Sequence, residues 1–318
     1  MKSLTSIEYR SVSDLNRSIV DNLGRVPQGV DLIVGIPRSG LLAASLVALH
    51  LNLPLADLDG FLGGRTLGGG QKLQWSKAKS GPGCWSQALV LDDSVNTGAA
   101  MREVKERIAQ SGIRVPAIYG CVYLNPAAGG EVDFHCETCR VPRIFEWNIM
   151  HDPILRAACV DIDGVLCRDP TEEENDDGPK YTEFISQVQP LIVPSVEMGH
   201  LVTCRLEKYR GPTEQWLARH GFQYGKLVMM DLPDKAARLS ADNHADFKAA
   251  FYHQCNSCLF IESSLWQART IVGRTGKSVF CAETREMLAP GVTSKSRRLA
   301  LKIVPYLWRR IKSAAGQR

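Results

Sequence analysis

Short runs of aliphatic and β-branched residues recur along the chain, and several of them lead through a turn into a helical pattern. In the first half such runs lie at residues 30–34, 88–91 and 118–124, and helical patterns lie at 13–23, 41–51 and 99–110. In the second half the runs lie at 157–160, 200–203, 259–261 and 279–281, and helical patterns lie at 212–220 and 247–253. Alternation of buried strands with helices is typical of parallel sheets that helices cover on both faces. The predicted fold class is therefore α/β, with two doubly wound parallel-sheet domains. The acidic stretch at residues 169–180 is predicted to form a small cap insert in the second domain.

The chain length and a break in this pattern predict the domain boundaries. A chain of 318 residues is about twice as long as a typical domain. The strand and helix pattern restarts after residues 145–148, which predicts one domain at 1–148 and a second at 149–293. Residues 294–318 form a tail with eight basic residues and no acidic ones.

Composition excludes several classes of protein. Hydrophobic residues make up 44% of the chain and charged residues 23%, the balance of a soluble protein with a core. The longest mostly apolar stretch, residues 41–49, is too short to span a membrane, and no apolar segment follows Met1, so we expect a cytoplasmic protein. The 293 residues before the tail carry 30 basic and 34 acidic side chains, which argues against a nucleic-acid partner.

The tail favours peripheral contact with the inner face of a membrane. Leu301, Val304, Trp308 and Ile311 recur at helical spacing among the basic residues, a pattern that suits an anionic lipid surface. Pro305 interrupts the pattern, so a solvated, frayed C-terminus is the alternative. Nothing in the sequence predicts the oligomeric state.

Ten cysteines fit reduced thiols rather than a disulfide framework. Two Cys-x-x-Cys pairs occur, Cys136 with Cys139 and Cys255 with Cys258. They lie more than a hundred residues apart, in separate predicted domains, whereas zinc sites use compact spacings. We therefore do not expect a zinc site shared by the two pairs.

Residues 90–98 combine an apolar strand, two carboxylates, a turn with hydroxyl groups and glycine, and a helix start. Backbone N–H groups at such a turn, with a helix dipole behind them, bind phosphate. The two acids, Asp92 and Asp93, are suited to hydrogen bonds from a vicinal diol, so the segment predicts a ribose 5-phosphate site. The alternative is a strand followed by an ordinary helix cap.

An upstream loop, residues 35–40, also follows a strand and carries Arg38, a side chain that binds anions in a bidentate manner. Two anion-binding loops at the carboxyl ends of one parallel sheet suit a ligand with two phosphate groups.

Together the two loops resemble those of the type I phosphoribosyltransferases, over roughly residues 10–130. This resemblance implies that Asp92 and Asp93 hold the ribose hydroxyls of phosphoribosyl pyrophosphate (PRPP). It also implies a 5-phosphate site formed by Ser94, Asn96, Thr97 and Gly98. It implies a pyrophosphate loop formed by Arg38, Ser39 and Gly40. The glycine-rich residues 63–70 are a candidate lid over the site, in which Arg65, with Lys72, would cover the ligand. The alternative is a solvated loop.

In the second half, an apolar strand leads directly into Asp161 and Asp163, followed by Gly164. Two carboxylates at this spacing suit one Mg²⁺, and the first suits attack on a phosphoryl group. The alternative, an Asp-Gly turn, accounts for Asp163 and not for Asp161.

The segment resembles the first motif of the haloacid-dehalogenase (HAD) phosphatases, and further elements follow in that family's order. The resemblance implies that Asp161 is the nucleophile, that Asp163 is the general acid and base, and that Thr203 and Lys248 hold phosphoryl oxygens. It implies Mg²⁺ bound by Asp161, Asp163 and Glu262, with Lys235 as the rival of Lys248. Ser263 stands where the family's fourth motif usually has a second acid, so a weaker metal site or an inactive domain is the alternative.

Other residues of the second half are candidates for a substrate pocket, with an exposed helix start and surface loop as the alternative. These candidates are Asn175, Asp177, Tyr181, Arg205, Tyr209 and Arg210.

The two halves together resemble the transferase and phosphatase pairs that add ribofuranose to bacterial polysaccharides. This resemblance implies two steps. The first is transfer of 5-phosphoribosyl from PRPP to a hydroxyl of a lipid-linked glycan, and the second is removal of the 5-phosphate. Two alternatives stay open: a nucleobase-salvage transferase fused to a nucleotidase, and a non-catalytic PRPP-sensing regulator. The regulator would need a nucleic-acid-binding element, for which the residues before the first helix leave little room.

Overall fold

A computed structural model describes residues 7–68, 85–237 and 244–290. Contacts divide the described residues into two compact units, Ile7–Trp147 and a second that begins at Asn148. The predicted lid residue Lys72 and the basic tail at 294–318 lie outside the described residues.

The first unit is built round a five-stranded parallel sheet with the strand order β3-β2-β4-β5-β6. A separate parallel pair joins β1 to β7. The elements in chain order are β1 (Glu8–Arg10), α1 (Val12–Asn22), β2 (Leu32–Gly35), α2 (Ser39–Leu51), β3 (Leu55–Asp57), α3 (Leu58–Leu62), β4 (Ala88–Val95), α4 (Ala99–Gln110), β5 (Ala117–Leu124), β6 (Phe134–Thr138) and β7 (Arg143–Phe145).

The sheet of the first unit is buried on both faces. Leu32 and Val34 of β2 belong to one apolar cluster, while Ile33 between them belongs to another. Because neighbouring residues of a strand point to opposite faces, the two clusters lie on opposite sides of the sheet. This arrangement explains why the strands are almost wholly apolar.

Several element boundaries differ from the sequence predictions, and two of these differences have a cause in named contacts. Helix α1 begins at Val12 rather than at Ser13, because Ser11 caps it and exchanges hydrogen bonds with Asp14 in a capping box. Strand β4, predicted to end at residue 91, continues to Val95, because Ser94 and Val95 still pair with β5. The two carboxylates predicted to follow this strand therefore lie within it.

The second unit contains a six-stranded sheet with the order β10-β9-β8-β11-β12-β13. All neighbours are parallel except β12 and β13. Its elements are β8 (Ala158–Val160), α5 (Pro179–Gln187), β9 (Met198–Leu206), α6 (Arg210–Arg219), β10 (Tyr224–Met230), α7 (His244–Gln254), β11 (Leu259–Glu262), α8 (Leu265–Thr275), β12 (Ser278–Cys281) and β13 (Glu286–Leu288).

The α/β fold class with parallel sheets is confirmed, with one correction at the end of the second unit. The sequence predicts residues 279–281 as the last strand, and this is wrong, because β13 pairs antiparallel with β12. Strand β13 is a three-residue edge strand, too short to give a strand pattern in the sequence. Across the described ranges, no helix combines the length and the apolar character that crossing a bilayer demands.

Candidate active sites

The two predicted anion-binding loops of the first unit lie side by side. Strands β2 and β4 are neighbours, and Gly35 pairs with Leu91, so the segments that follow both strands emerge at the same edge of the sheet. Gly40 lies directly against β4, because a Cβ at this position would be 2.9 Å from Asp92 Oδ1 and 2.9 Å from the Leu91 carbonyl oxygen. Glycine is therefore required where the first loop meets the acidic pair.

Each loop leads into the N-terminus of a helix. Arg38 is exposed and precedes α2, whose first residues are Ser39, which is half-buried, and Gly40. Thr97 and Gly98 precede α4, and Gly98 has a φ of +79°, where a side chain would also overlap that of Glu131. Two long helices thus direct their N-termini, with unpaired N–H groups and a partial positive charge, to the carboxyl edge of one sheet.

One residue of the acidic pair is buried and the other is half-buried. Asp93 is buried and accepts a hydrogen bond of 2.8 Å from Trp147 Nε1, while Asp92 Oδ1 accepts the N–H of Asp93 over 2.8 Å. Burial raises the pKa of Asp92 to about 8, and the neighbouring charge of Asp93 contributes to the increase. The positive charge of Arg143 in β7 lowers this pKa.

Trp147 and Arg143 were not predicted as site residues. Trp147 stacks on Phe145 with ring centroids 4.8 Å apart, and Phe145 stacks on Tyr123 over 5.6 Å. In the sequence, Phe145 and Trp147 mark only the place where the strand and helix pattern restarts. Their contact with an acid more than fifty residues away has no local signal.

The other predicted residues of the first site lie in β4, in the turn after it, and after α3. Ser94 is half-buried within β4, and exposed Asn96 accepts a hydrogen bond of 2.9 Å from the Asn125 side chain. Arg65 is exposed, follows α3, and donates its backbone N–H to the Gly60 carbonyl over 2.7 Å.

In the second unit, Lys248 joins two of the predicted carboxylates. Its ammonium group lies 2.6 Å from Asp161 Oδ2, 2.7 Å from Glu262 Oε2 and 3.1 Å from Gln267 Oε1. Lys248, Asp161 and Glu262 are 2%, 4% and 0% exposed, so the network lies in the interior of the unit. The fold assembles it by placing Asp161 after β8, Glu262 at the end of the adjacent β11, and Lys248 on α7.

Burial governs the protonation of this network. It raises the pKa of Asp161 to about 7, although the charge of Lys248 lowers this pKa. Burial alone would lower the pKa of Lys248, but the two carboxylates raise it above its ordinary value. Lys248 is therefore the cation of the network at neutral pH.

The second carboxylate of the motif, Asp163, is held by Arg205. The guanidinium Nη2 lies 2.6 Å from Asp163 Oδ1, and Nε lies 3.1 Å from Oδ2, so both carboxylate oxygens are engaged. Arg205 is fully buried, and its Nη1 has no hydrogen-bond partner among the described residues. The sequence suggested Arg205 only as one of several pocket residues.

Three further residues belong to or adjoin β9 and the turn that carries Asp163. Thr203, buried in β9, accepts the backbone N–H of Arg205 on its hydroxyl over 3.2 Å. Gly164 has a φ of +75°, and a Cβ here would overlap the Ser263 side chain and lie 3.0 Å from Asp169 Oδ2. Ser263 therefore packs against the Asp161–Gly164 turn at the position where an acid was expected.

Asp169 is an acidic neighbour that the sequence analysis assigned only to the insert. Burial and the charge of Asp163 raise its pKa, and the charges of Lys248 and Glu262 also act on it. The sequence signal that could have identified Asp169 was its position six residues after Asp163.

The rival lysine, Lys235, makes different contacts. Its ammonium group donates to the Asn175 carbonyl in the insert, and its backbone N–H donates to Asp177 Oδ2 over 2.9 Å. Asp177 also accepts from Tyr209, while Tyr209 packs edge-on against Tyr181. These pocket candidates thus join the insert to the rest of the unit.

The last predicted pocket residue, Arg210, pairs with Glu207 and Glu214. It is half-buried and lies at the start of α6.

Residues 3–154 match the phosphoribosyl transferase domain family. Transcriptional regulator GfcR 1 of Methanosarcina barkeri (strain Fusaro / DSM 804) is 28% identical over 117 residues, which are 37% of this chain and 56% of that protein. The match thus spans little more than half the length of this curated relative.

Two solved structures are similar to the first part of the chain. Purine phosphoribosyltransferase from Pyrococcus horikoshii Ot3 shares 18% identity with a TM-score of 0.33. Xanthine-Guanine-Hypoxanthine Phosphoribosyltransferase of Helicobacter pylori shares 13% identity with a TM-score of 0.32. They cover 44% and 45% of this chain and 92% of their own chains. The family match identifies a domain of the phosphoribosyl transferase type within residues 3–154.

Proposed function

We propose that this chain is a bifunctional enzyme that attaches ribofuranose to a glycan. The first unit transfers 5-phosphoribosyl from PRPP to a hydroxyl of the acceptor, and the second unit then hydrolyses the 5-phosphate. The observation that carries the proposal is the buried network of Asp161, Lys248 and Glu262 in a chain that also contains a phosphoribosyl transferase domain.

In the proposed first step, the C1–O bond to pyrophosphate breaks and a bond from C1 to the acceptor oxygen forms on the opposite face, with loss of the hydroxyl proton. Asp92 and Asp93 hold the ribose hydroxyls. The 5-phosphate binds to Ser94, Asn96, Thr97 and Gly98. The pyrophosphate binds to Arg38, Ser39 and Gly40. The adjacent helix N-termini support these roles, because they favour anions at both positions.

Exclusion of water protects the sugar cation that develops in this step. We propose Arg65, in the segment after α3, as a residue that covers the bound PRPP. Strand β3 pairs with β2, so this segment emerges beside the loop that carries Arg38.

In the proposed second step, Asp161 attacks phosphorus and the bond to the ribose 5-oxygen breaks, while Asp163 donates a proton to that oxygen. Water, deprotonated by Asp163, then releases phosphate from Asp161. Thr203 and Lys248 hold the phosphoryl oxygens. Asp163 has to free one oxygen from Arg205 before it can transfer a proton, so this ion pair is part of the proposed reaction.

Mg²⁺ suits the donor set of the second site. Asp161, Asp163 and Glu262 offer carboxylate oxygens, the ligands that Mg²⁺ prefers, and they outnumber the two cations Lys248 and Arg205. These three acids would hold the ion, which when bound neutralises negative charge on the phosphoryl oxygens.

The proposed acceptor is a lipid-linked glycan, used at the cytoplasmic face of a membrane that the basic tail contacts. Cosedimentation with anionic vesicles tests the tail contact by comparing the full chain with a chain that ends at residue 294. Equal partitioning of the two would contradict it.

Single variants test the two sites separately, with PRPP, Mg²⁺ and lipid-linked glycan supplied to the full chain. Asp93→Asn should abolish pyrophosphate release, while hydrolysis of a supplied 5-phosphoribosyl glycan continues. Asp161→Asn should release pyrophosphate and no inorganic phosphate. Asp59→Asn and Asp246→Asn change exposed acids of the two units and should leave both products unchanged. Normal phosphate release by Asp161→Asn would contradict the assigned nucleophile.

A second candidate function is a PRPP-binding regulator, favoured by the match to a protein named as a transcriptional regulator. Such a protein would bind PRPP by calorimetry and form neither product with any acceptor. Pyrophosphate release that depends on Asp93 would exclude this candidate.

A further inference from the structure

Two thiols and an imidazole that have no role in the reactions proposed above converge in the second unit. One ligand atom from each of Cys159, His200 and Cys255 lies within 4.8 Å of the other two, and the two sulfur atoms are 3.7 Å apart. Cys255 belongs to one of the Cys-x-x-Cys pairs, but its neighbours here are remote in the sequence.

The sheet and one helix bring these residues together. Cys159 of β8 and His200 of β9 are direct partners in the parallel ladder, so their side chains share one face of the sheet. Cys255 directly follows α7, and its N–H bonds to the Phe251 carbonyl over 3.1 Å, so it continues the last turn of that helix. Three separate elements therefore each supply one donor.

The chemistry and spacing of the three donors suit a thiophilic divalent cation. Zinc–sulfur bonds of about 2.3 Å in a tetrahedral site place two sulfurs about 3.8 Å apart, close to the separation observed. Cysteine and histidine together are also the usual ligand types of zinc sites.

Neighbouring groups hold the donors in position. Ser257, only 2% exposed, lies with its hydroxyl 3.2 Å from His200 Nδ1 and keeps the imidazole beside the thiols. Lys277 donates to the carbonyls of Tyr252 and Cys255 over 2.7 and 2.8 Å and fixes the segment that carries Cys255. A dication with two thiolates has no net charge, so this ammonium group does not oppose its binding.

We propose that Cys159, His200 and Cys255 form a binding site for Zn²⁺ or a similar thiophilic cation, with water as the fourth ligand. Cys258, the partner of Cys255 in the sequence motif, is not one of the three converging donors, and its thiol lies 3.6 Å from the Ala157 carbonyl. The ion would link β8, β9 and the end of α7. These three elements also carry or precede Asp161, Thr203 and Lys248.

Cobalt(II), a spectroscopic substitute for zinc, tests the site in the full reduced chain after chelator treatment. We expect one Co²⁺ per chain, with a thiolate-to-cobalt charge-transfer band and the visible bands of a tetrahedral site. Cys255→Ser and His200→Leu should lose these bands, while Cys258→Ser should keep them. Thermal unfolding without metal verifies that the variants are folded, and Zn²⁺ should raise the melting temperature of the wild type and of Cys258→Ser only.

Three results would overturn the proposal. The first is absence of stoichiometric Co²⁺ binding by the reduced chain. This result would overturn the proposal even if Cys159 and Cys255 formed a disulfide on oxidation. The second is binding that survives Cys255→Ser. The third is loss of binding in folded Cys258→Ser, which would assign the metal to the Cys-x-x-Cys pair.

Discussion

Trp147 donates its indole N–H to Oδ2 of Asp93 over a distance of 2.8 Å. This hydrogen bond connects the last residue of the first unit to the acidic pair of β4, and it directs one oxygen of a buried carboxylate. In the proposed transferase, Trp147 is thus a positioning residue for the group that holds the ribose.

Trp147→Phe should keep the stack on Phe145 and remove only the N–H donor. Loss of a partner for a buried carboxylate oxygen costs about 1–3 kcal/mol, so we expect lower stability in urea unfolding. PRPP affinity, measured by calorimetry, should fall roughly tenfold, which corresponds to about 1.4 kcal/mol. Trp266→Phe is the matched control, because Trp266 is 60% exposed. Unchanged PRPP affinity in Trp147→Phe would contradict the positioning role.

Gly40→Ala should disturb the first site through Asp92. The added Cβ would meet Asp92 Oδ1 and the Leu91 carbonyl oxygen at 2.9 Å, so β4 or α2 has to shift. We expect PRPP binding to weaken by at least tenfold and stability to fall by about 1–3 kcal/mol. Gly129→Ala is the control, because no atom lies within 4 Å of a Cβ there. Equal PRPP binding by the two variants would show that the first loop does not contact the acidic pair.

The raised pKa of Asp92 predicts a pH dependence of stability. Its carboxyl binds a proton more readily in the folded chain, where its pKa is about 8, than in the unfolded chain, where it is near 3.8. The folded state therefore loses stability as the pH rises from about 4 to about 8, and the loss is complete above pH 8. Since Asp92 keeps partial contact with solvent, we expect a loss of about 2–3 kcal/mol rather than the full effect.

Asp92→Asn should flatten this dependence and be more stable than the wild type at pH 8 to 9. Chemical unfolding at several pH values measures both effects. Parallel stability curves for the two proteins would contradict the assignment of the raised pKa to Asp92.

Lys248→Met should leave Asp161 and Glu262 buried without their cation. Removal of one partner from a buried ion pair costs about 3–5 kcal/mol, and we expect a loss of stability in this range. Phosphate release should also disappear, while pyrophosphate release continues. Lys180→Met, which breaks an exposed pair with Glu173, should cost less than about 1 kcal/mol. Similar stability of the two variants would contradict the buried network.

The sequence predicted the elements whose signals are local. Helix α4 has the predicted bounds, because Gly98 in the left-handed region begins it and its apolar residues recur at helical spacing. The end of β4 was missed for a physical reason. Asp92, Asp93 and Ser94 favour turns in isolation, but pairing with β5 keeps them in the strand.

Contacts between remote residues could not be predicted in this way. The motif at Asp161 and Asp163 was visible, whereas the ion pair of Asp163 with Arg205 depends on how β9 lies beside β8. The convergence of Cys159, His200 and Cys255 depends on the same pairing. The Cys-x-x-Cys spacing in the sequence suggests Cys258 instead as the partner of Cys255 in a metal site.

The fate of the 5-phosphate tests the central claim, that the two units act in turn on one pentose. Full-length protein is incubated with Mg²⁺, lipid-linked glycan and PRPP that carries ³²P only in its 5-phosphate. The wild type should release the label as inorganic phosphate and leave unlabelled ribofuranose on the glycan. Asp161→Asn should leave the label on the glycan, where mass spectrometry detects 5-phosphoribosyl. Labelled phosphate from Asp161→Asn at the wild-type rate, or wild-type glycan that never gains a pentose, would contradict the account.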